Sequence, residues 1–453
     1  MSDDDDFRAA GDAVYEAMLG RLGEQSPRPR LAPTRRAVEL LGDPQHAYPI
    51  IHITGTNGKT STSRIAESIL RAMGLRTGLF SSPHLQRFNE RIMIDGESIT
   101  DEALARNWDD IQPYLTMVDE ELVAAGETRL TFFEVLTVLA YACFADAPVD
   151  VAVIEVGMGG EWDSTNVGDG QVAVFTPISL DHTARLGNTI SEIARTKSGI
   201  VKPAASVVTA AQPAEAMVEL ERAAELREAS LAAQPDRFDV VSTAVAVGGQ
   251  LFSMRGLAGH YADLFLPLYG AHQAQNAAVA IAAVETFVGG GERQLSREVL
   301  EEGLSNATSP GRLQLIGTEP TVLVDAAHNP AGALALAAAL PSFFDFDEIA
   351  FVVGILRDKD AKGIVDALAP LAARIHVTQS HSERAEPYDE LAEHIHEWTH
   401  EKVVSYDDLG EAIEAAREWA AETPRRAVVV TGSITLIGEA MTLAGDRAWK
   451  ATA

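Results

Sequence analysis

Cysteine is almost missing from this chain: Cys143 is the only one in 453 residues. One thiol can form neither an internal disulfide nor a thiolate metal cluster, and such usage fits a reducing, cytoplasmic setting. Cys143 falls in an apolar helical segment, which makes it a core residue. Basic residues are scarce as well. The 36 Lys and Arg stand against 66 Asp and Glu, a net charge of −30. Nucleic acid and anionic membrane surfaces are therefore not expected partners. Any anionic ligand must be met by local basic residues and a divalent cation. No apolar run reaches membrane-spanning length, and the start MSDDDD is the opposite of a secretory signal. Short-period repeats are absent too. The remainder is ordinary: 46% hydrophobic and 23% charged residues describe a soluble globular protein. The length suits about two to four domains.

The run HITGTNGKTST, residues 52–62, carries the strongest signal. A strand-like segment, Pro49-Ile50-Ile51, precedes it, and a helix with Ile65, Ile69, Leu70 and Met73 at its apolar positions follows. Strand, glycine-containing loop and helix together suit a nucleotide's phosphates, because loop N–H groups and the positive helix end face the anion. The N–H groups of Thr56 to Thr60 are expected to point at phosphate oxygens, and Lys59 adds a full charge. Thr60 is placed to offer its hydroxyl to Mg²⁺. The spacing is a short variant, GTNGKT, because Ile53 stands where GxxxxGK[ST] has its first glycine.

Two stretches alternate apolar strand-like runs with helices, the signature of parallel sheets covered on both faces. The first holds PIIHIT, TGLFSS, VAVIEV, VAVFT and SVVTA; the second holds TVLVDAA, IAFVVGI, RIHVTQS and AVVVTGS. Between them, residues 237–268 look like short antiparallel strands, followed by the helix HQAQNAAVAIAAVETF. GLSNATSPGRLQ, from Gly303, combines turn residues with a change of series. It divides the chain into two α/β domains, 1–308 and 309–453. Ligands of open parallel sheets gather beyond the carboxyl ends of the strands. Polar residues cluster at six such ends here, which predicts two catalytic rims.

With these motifs in hand, the chain closely resembles the folylpolyglutamate synthase/dihydrofolate synthase branch of the Mur ligase superfamily. The likeness rests on GTNGKT, SSPHL (81–85), EVGMGG with DSTN (155–166), SLDH (179–182), KSGI (197–200), HQAQNAA (272–278), PGR (310–312) and DAAHNP (325–330). It runs from about Leu31 to Gly438. The fold it implies is α/β in two domains. The N-terminal one is a P-loop-type, mainly parallel sheet with a small antiparallel part; the C-terminal one is Rossmann-like. One departure stands out: Glu161 follows the paired glycines where the folate branch usually has Arg. Whatever that Arg does is not carried over, and the local potential becomes more negative.

The resemblance implies ATP-dependent ligation of L-glutamate to dihydropteroate and to reduced folates, by way of an acyl phosphate. It implies ATP at Gly55, Thr56, Asn57, Gly58, Lys59, Thr60, Ser61, Asn276, Arg312 and Asp325, with Asn276 suited to an adenine edge. It implies Mg²⁺ at Ser82, Glu155, His182 and a carbamylated Lys197, with K⁺ as a further cation. Catalysis falls to Lys59, His182, Lys197 and His328. The pterin is expected at Thr131, Phe132, Phe133, Glu134, Trp162, Asp163 and Ser164, although TFFE by itself is the start of an amphipathic helix, and core packing is the better reading for at least one of Phe132 and Phe133. Lys359, Ser380, His381 and Arg384 are candidates for the incoming glutamate. A monomer is implied. Three alternatives stay open: a folylpolyglutamate synthase that only lengthens the glutamate tail, a cell-wall Mur ligase acting on a UDP-sugar peptide, and a P-loop NTPase that ligates nothing.

Overall fold

The structure, a computed structural model, describes residues 3–23, 28–447 and 449. Met1 and Ser2 of the acidic start lie outside the described residues. The chain divides into two compact units. One comprises Met1–Ser242, Ser253–Leu264 and Gln275–Ala307; the other comprises Thr243–Phe252, Phe265–Ala274 and Thr308–Ala453. The two short stretches before Thr308 that belong with the second unit were not foreseen in the sequence.

Eight strands form the sheet of the first unit: β1 (Ile50–Thr54), β2 (Thr77–Phe80), β3 (Ile92–Ile94), β4 (Glu97–Ser98), β5 (Val151–Glu155), β6 (Gly170–Phe175), β7 (Ser206–Thr209) and β8 (Ser230–Ala233). Their order is β4-β3-β2-β5-β1-β6-β7-β8. All pairs from β2 to β8 are parallel, and β3 and β4 add an antiparallel edge. Every residue of β1 and β5 is buried, as a strand covered on both faces must be. The helix Lys59–Ala72 buries Ile65, Ala66, Ile69 and Leu70, a stripe at helical spacing. The helix Phe132–Asp146 is apolar nearly all round and contributes Leu136, Leu139 and Cys143 to the core.

The strands foreseen between 237 and 268 form their own sheet, ordered β11-β10-β9: β9 (Asp239–Ala246), β10 (Gly249–Arg255) and β11 (His260–Leu266). In the second unit six strands follow: β12 (Gln314–Thr318), β13 (Thr321–Asp325), β14 (Glu348–Val353), β15 (Ala372–Val377), β16 (Lys402–Ser405) and β17 (Arg426–Thr431). They run β12-β13-β17-β14-β15-β16, parallel except for the β12–β13 hairpin pair. Among the described residues, no helix is long and apolar enough to cross a membrane.

Candidate active site

Strand order places the polar residues of the first unit. β1 lies between β5 and β6, with Ile53 opposite Glu155 and Thr54 opposite Phe175. The loops leaving these three strands therefore start side by side, at the point where successive crossovers diverge. β2 pairs with β5 through Phe80 and Ile154, so the Ser82 loop begins beside Glu155. His182 follows β6 in a left-handed conformation (φ 49°), and its N–H donates to Asp181 Oδ1 at 2.8 Å.

The loop after β1 is fixed by both shape and bonding. Gly58 has φ +87°, and a Cβ there would overlap the Asn276 amide. Asn276, buried, thus lies against the phosphate loop itself. The N–H groups of Thr56 and Asn57 donate to the Pro177 carbonyl (3.0 and 3.4 Å). They are spent on the loop's own shape, so the five N–H groups expected to face phosphate reduce to those of Gly58, Lys59 and Thr60. Lys59 Nζ reaches the Thr56 carbonyl at 3.3 Å. Thr60 donates its hydroxyl to both oxygens of Glu155, at 2.9 and 3.0 Å, and Glu155 is only 1% exposed.

Lys197 joins the same loop from the helix Ile190–Ser198. It is 4% exposed, and its Nζ donates to the Gly55 carbonyl at 2.8 Å. Burial, reinforced by the Lys59 charge, lowers its pKa to about 7. Arg64, one helical turn past Thr60, is a residue sequence reasoning passed over. It is partly buried within the fields of Glu90, Glu155 and Glu67, and desolvation lowers its pKa. Its signal in the sequence was only a basic residue at i+4 from Thr60.

The residues expected at the pterin divide in two. Thr131 and Glu134 form a reciprocal cap on the helix Phe132–Asp146. Glu134 also takes two bonds from the Arg30 guanidinium, 2.9 and 3.0 Å. Phe132 lies in the core beneath the Arg91 guanidinium. Asp163 accepts from Met158 N, Thr165 N and the Thr165 hydroxyl, and Ser164 is buried beside it. Phe133 and Trp162 are only partly buried, Phe133 against Gly157 and Trp162 against the cluster around Leu186 and Ile193. These two offer aromatic surface. Since Glu134 is buried and Arg30 supplies its counter-charge, Arg30→Ala should lower stability by about 2 kcal/mol. That is less than the 3–5 kcal/mol of a fully buried pair, because water reaches the Arg30 side. Urea unfolding checks it: an unchanged midpoint would deny the pair that role.

In the second unit, Asp325 ends β13 and uses its two oxygens on Ala327 N and Leu313 N, 2.9 Å each. His328 Nδ1 meets the Ala326 carbonyl at 3.0 Å, and Asn329 caps the next helix through Gly332 N. Arg312 precedes β12. It shares with Asp325 the neighbourhood of His272, whose pKa burial lowers. His272 sits in the HQAQNAA motif but was not singled out as a site residue. β17 lies between β13 and β14, and β14 pairs with β15, so their loops emerge together. There Arg384 holds Asp358 (2.6 and 2.7 Å), His381 holds Glu439 (2.9 Å), and Ser380 meets Thr435 (3.1 Å). Lys359 lies in the loop between β14 and the helix Ala361–Leu368, close enough to act on Asp358.

A nucleotide loop on one parallel sheet and a second rim on a Rossmann-like sheet define the class of Mur-type ligases. The sequence matches the Mur ligase middle domain over residues 53–284 and the Mur ligase glutamate ligase domain over residues 311–434. It is 42% identical over 450 residues to a dihydrofolate synthase/folylpolyglutamate synthase of Mycobacterium tuberculosis, covering 94% of this chain and 92% of that one. A folylpolyglutamate synthase of Lacticaseibacillus casei is 37% identical, covering 90% and 94%. The solved Mycobacterium tuberculosis folylpolyglutamate synthase complexed with ADP superposes with a TM-score of 0.93, at 41% identity, covering 97% and 99%. The chain belongs to the folylpolyglutamate synthase/dihydrofolate synthase family of Mur ligases. It is an ATP-dependent ligase.

Proposed function

We propose that the protein joins L-glutamate to dihydropteroate and to the glutamate tail of reduced folates, through an acyl phosphate. The observation that carries this is one rim built from three segments: Lys59, the Thr60–Glu155 contact, and Lys197 on the Gly55 carbonyl. A carboxylate is a poor electrophile, and phosphorylation by ATP makes it reactive toward the amine of glutamate. Charge builds on the transferred phosphoryl and then on the tetrahedral intermediate, so positioned cations carry the catalysis. In this role Lys59 binds the β/γ-phosphates. Asn276 steadies the loop at Gly58, in addition to the adenine contact first assigned to it.

A hydroxyl and a carboxylate beside a helix N-terminus form a hard-oxygen donor set that fits Mg²⁺. Among the described residues, no cluster of three His, Cys, Asp or Glu side chains could hold a metal. Thr60, Glu155, Ser82 and His182 would hold one Mg²⁺, the carbamate anion of Lys197 would help hold a second Mg²⁺, and K⁺ would be a further cation. Bound there, Mg²⁺ would neutralise phosphate charge. Phe133, Trp162 and Asp163 form the pterin end, within a capped frame set by Thr131 and Glu134. Residues 309–453 supply the glutamate site, with Lys359, Ser380, His381 and Arg384, and Arg312, Asp325 and His328 keep the nucleotide roles that the resemblance implies. We assign the protein to the cytoplasm, as a monomer.

ADP release measured with dihydropteroate, tetrahydrofolate and a UDP-muramyl peptide, each with and without glutamate, tests the proposal. Glutamate-dependent release with both pterin substrates is expected. Release with tetrahydrofolate alone would make the enzyme a folylpolyglutamate synthase only. Glutamate-independent release would point to an NTPase that does not ligate.

Gly58 gives a further test. Alanine in the left-handed region costs about 1–2 kcal/mol, and its methyl would press on Asn276. The free loop can relax from that shape, but a bound nucleotide must restore it. Gly58→Ala should therefore weaken ATP binding by about tenfold, since about 1.4 kcal/mol is a factor of ten. Calorimetric titration with ATP checks this. Unchanged affinity would remove Gly58 from the site.

A further inference from the structure

The strand that leads into the phosphate loop carries a buried imidazole at its centre. His52 is 1% exposed, and its Nε2 lies 2.9 Å from Thr165 Oγ1. The Thr165 hydroxyl donates its proton to Asp163 Oδ1 at 2.5 Å. It must therefore accept from His52, which places the imidazole proton on Nε2. Nδ1 is then an acceptor, and it has no hydrogen-bond partner among the described residues. Burial, with Lys202 nearby, lowers the ring's pKa to about 3, so it stays neutral. A buried ring nitrogen without a partner is costly where an aliphatic side chain would pack. Among the described residues, the only side-chain bond that offsets this cost is the one to Thr165.

That bond reaches the loop after β5. Asp163 holds Met158 N with its second oxygen (2.9 Å) and Thr165 N with its first (3.0 Å). Thr54 lies two residues along β1 from His52, on the same face, and donates its hydroxyl to the Gly159 carbonyl at 2.8 Å. Tyr141 closes the network from the helix Phe132–Asp146, donating to the Thr165 carbonyl at 2.6 Å. The phosphate-loop strand thus grips the segment 156–166 at two points. Phe133 packs on this segment at Gly157, and Trp162 belongs to it.

We propose that His52 and Thr165 are positioning residues: the line His52–Thr165–Asp163 fixes the 156–166 loop in the shape that receives the pterin. It sets affinity for the folate substrate and not for ATP. This deepens the folate-ligase assignment and rests on it. An ordinary core role would affect both substrates alike through stability; a positioning role separates them.

The experiment uses the full-length enzyme with ATP, Mg²⁺ and glutamate. KM for dihydropteroate, tetrahydrofolate and ATP is measured in Thr165→Val, Thr165→Ser, His52→Leu and His52→Gln. Val keeps the shape of Thr without the hydroxyl; Gln can place an amide N–H where Nε2–H was. Val and Leu should raise KM for the pterin substrates about tenfold, as loss of an orienting partner commonly does, with KM for ATP within about twofold. Ser and Gln should recover most of the loss. Equal changes in both KM values, or a Ser variant no better than Val, would overturn the proposal. If Val and Leu do not fold, ¹⁵N-histidine NMR of the unaltered protein decides. A neutral Nε2–H tautomer of His52 from about pH 5 to 8 is expected, and an imidazolium or Nδ1–H form refutes the relay. If the unaltered enzyme releases no ADP with either pterin, the folate assignment falls, while the tautomer still reports on the relay.

Discussion

Lys59→Ala should abolish ligation while the protein still folds. The ammonium sits on the phosphate loop, bonded to the Thr56 carbonyl at 3.3 Å, and is only partly buried. Its removal leaves no cavity in the core. The loop N–H groups of Thr56 and Asn57 are already committed to Pro177, so few other donors can replace its charge. Single electrostatic stabilisers of a reacting group are worth about 10²–10³ in rate, and a loss of at least about 10²-fold is expected. The Lys59 charge also helps to lower the pKa of Lys197. Lys59→Ala should therefore move the Lys197 pKa upward, a second effect that Lys59→Arg should not produce. Glutamate-dependent ADP release and a thermal melt together check this. Activity within a few-fold of the unaltered enzyme, with an unchanged melt, would remove Lys59 from the reaction.

The loop after β1 could be read in the sequence because its signals are local. Six consecutive residues, GTNGKT, set the turn, the charge and the helix start. Glu155 was equally visible, as a carboxylate ending an all-apolar strand, where burial without a partner would be costly. Its contact with Thr60 depends on β1 and β5 being neighbours, which strand order alone decides. Long-range pairing hid more. Arg30 lies 104 residues from Glu134, and nothing local announces that the two carry one ion pair. That pair gives Glu134 a structural task, which makes Glu134→Gln a poor probe of pterin binding. The short strands β12 and β16 and the edge pair β3–β4 were missed as well. Runs of two to five residues beside turns carry too little periodicity to stand out. The helix Asp101–Ala124 was missed although Thr100 caps it, with Asp101 and Glu102 in its first turn.

Lys197→Arg should be as inactive as Lys197→Ala, an unusual outcome for a change that keeps the charge. We propose that the free amine of Lys197 adds CO₂ to form a carbamate, with one C–N bond made and one proton released. The product is an anion able to help hold a divalent cation. Only a neutral amine reacts, and burial together with Lys59 lowers the pKa from 10.5 to about 7, so free amine is present at neutral pH. A guanidinium stays protonated and cannot take this path. The lowered pKa also fixes a sign for stability. Between about pH 7 and 10.5 the unfolded chain holds a proton at Lys197 that the folded chain has shed, so folding gains stability as pH rises through that window. In CO₂-free buffer, Lys197→Met should lose this part of the pH dependence and should be relatively more stable at the acidic end of the window. Activity assays of the Ala, Arg and Met variants, with and without added acetate, address the carbamate. ¹³C NMR in ¹³CO₂-equilibrated buffer adds a direct readout. Partial rescue of Ala by acetate, no rescue of Arg, and a carbamate resonance that vanishes in all three variants are expected. A fully active Arg variant would exclude the carbamate outright, and the buried ammonium would then have to act on the phosphates as a charge.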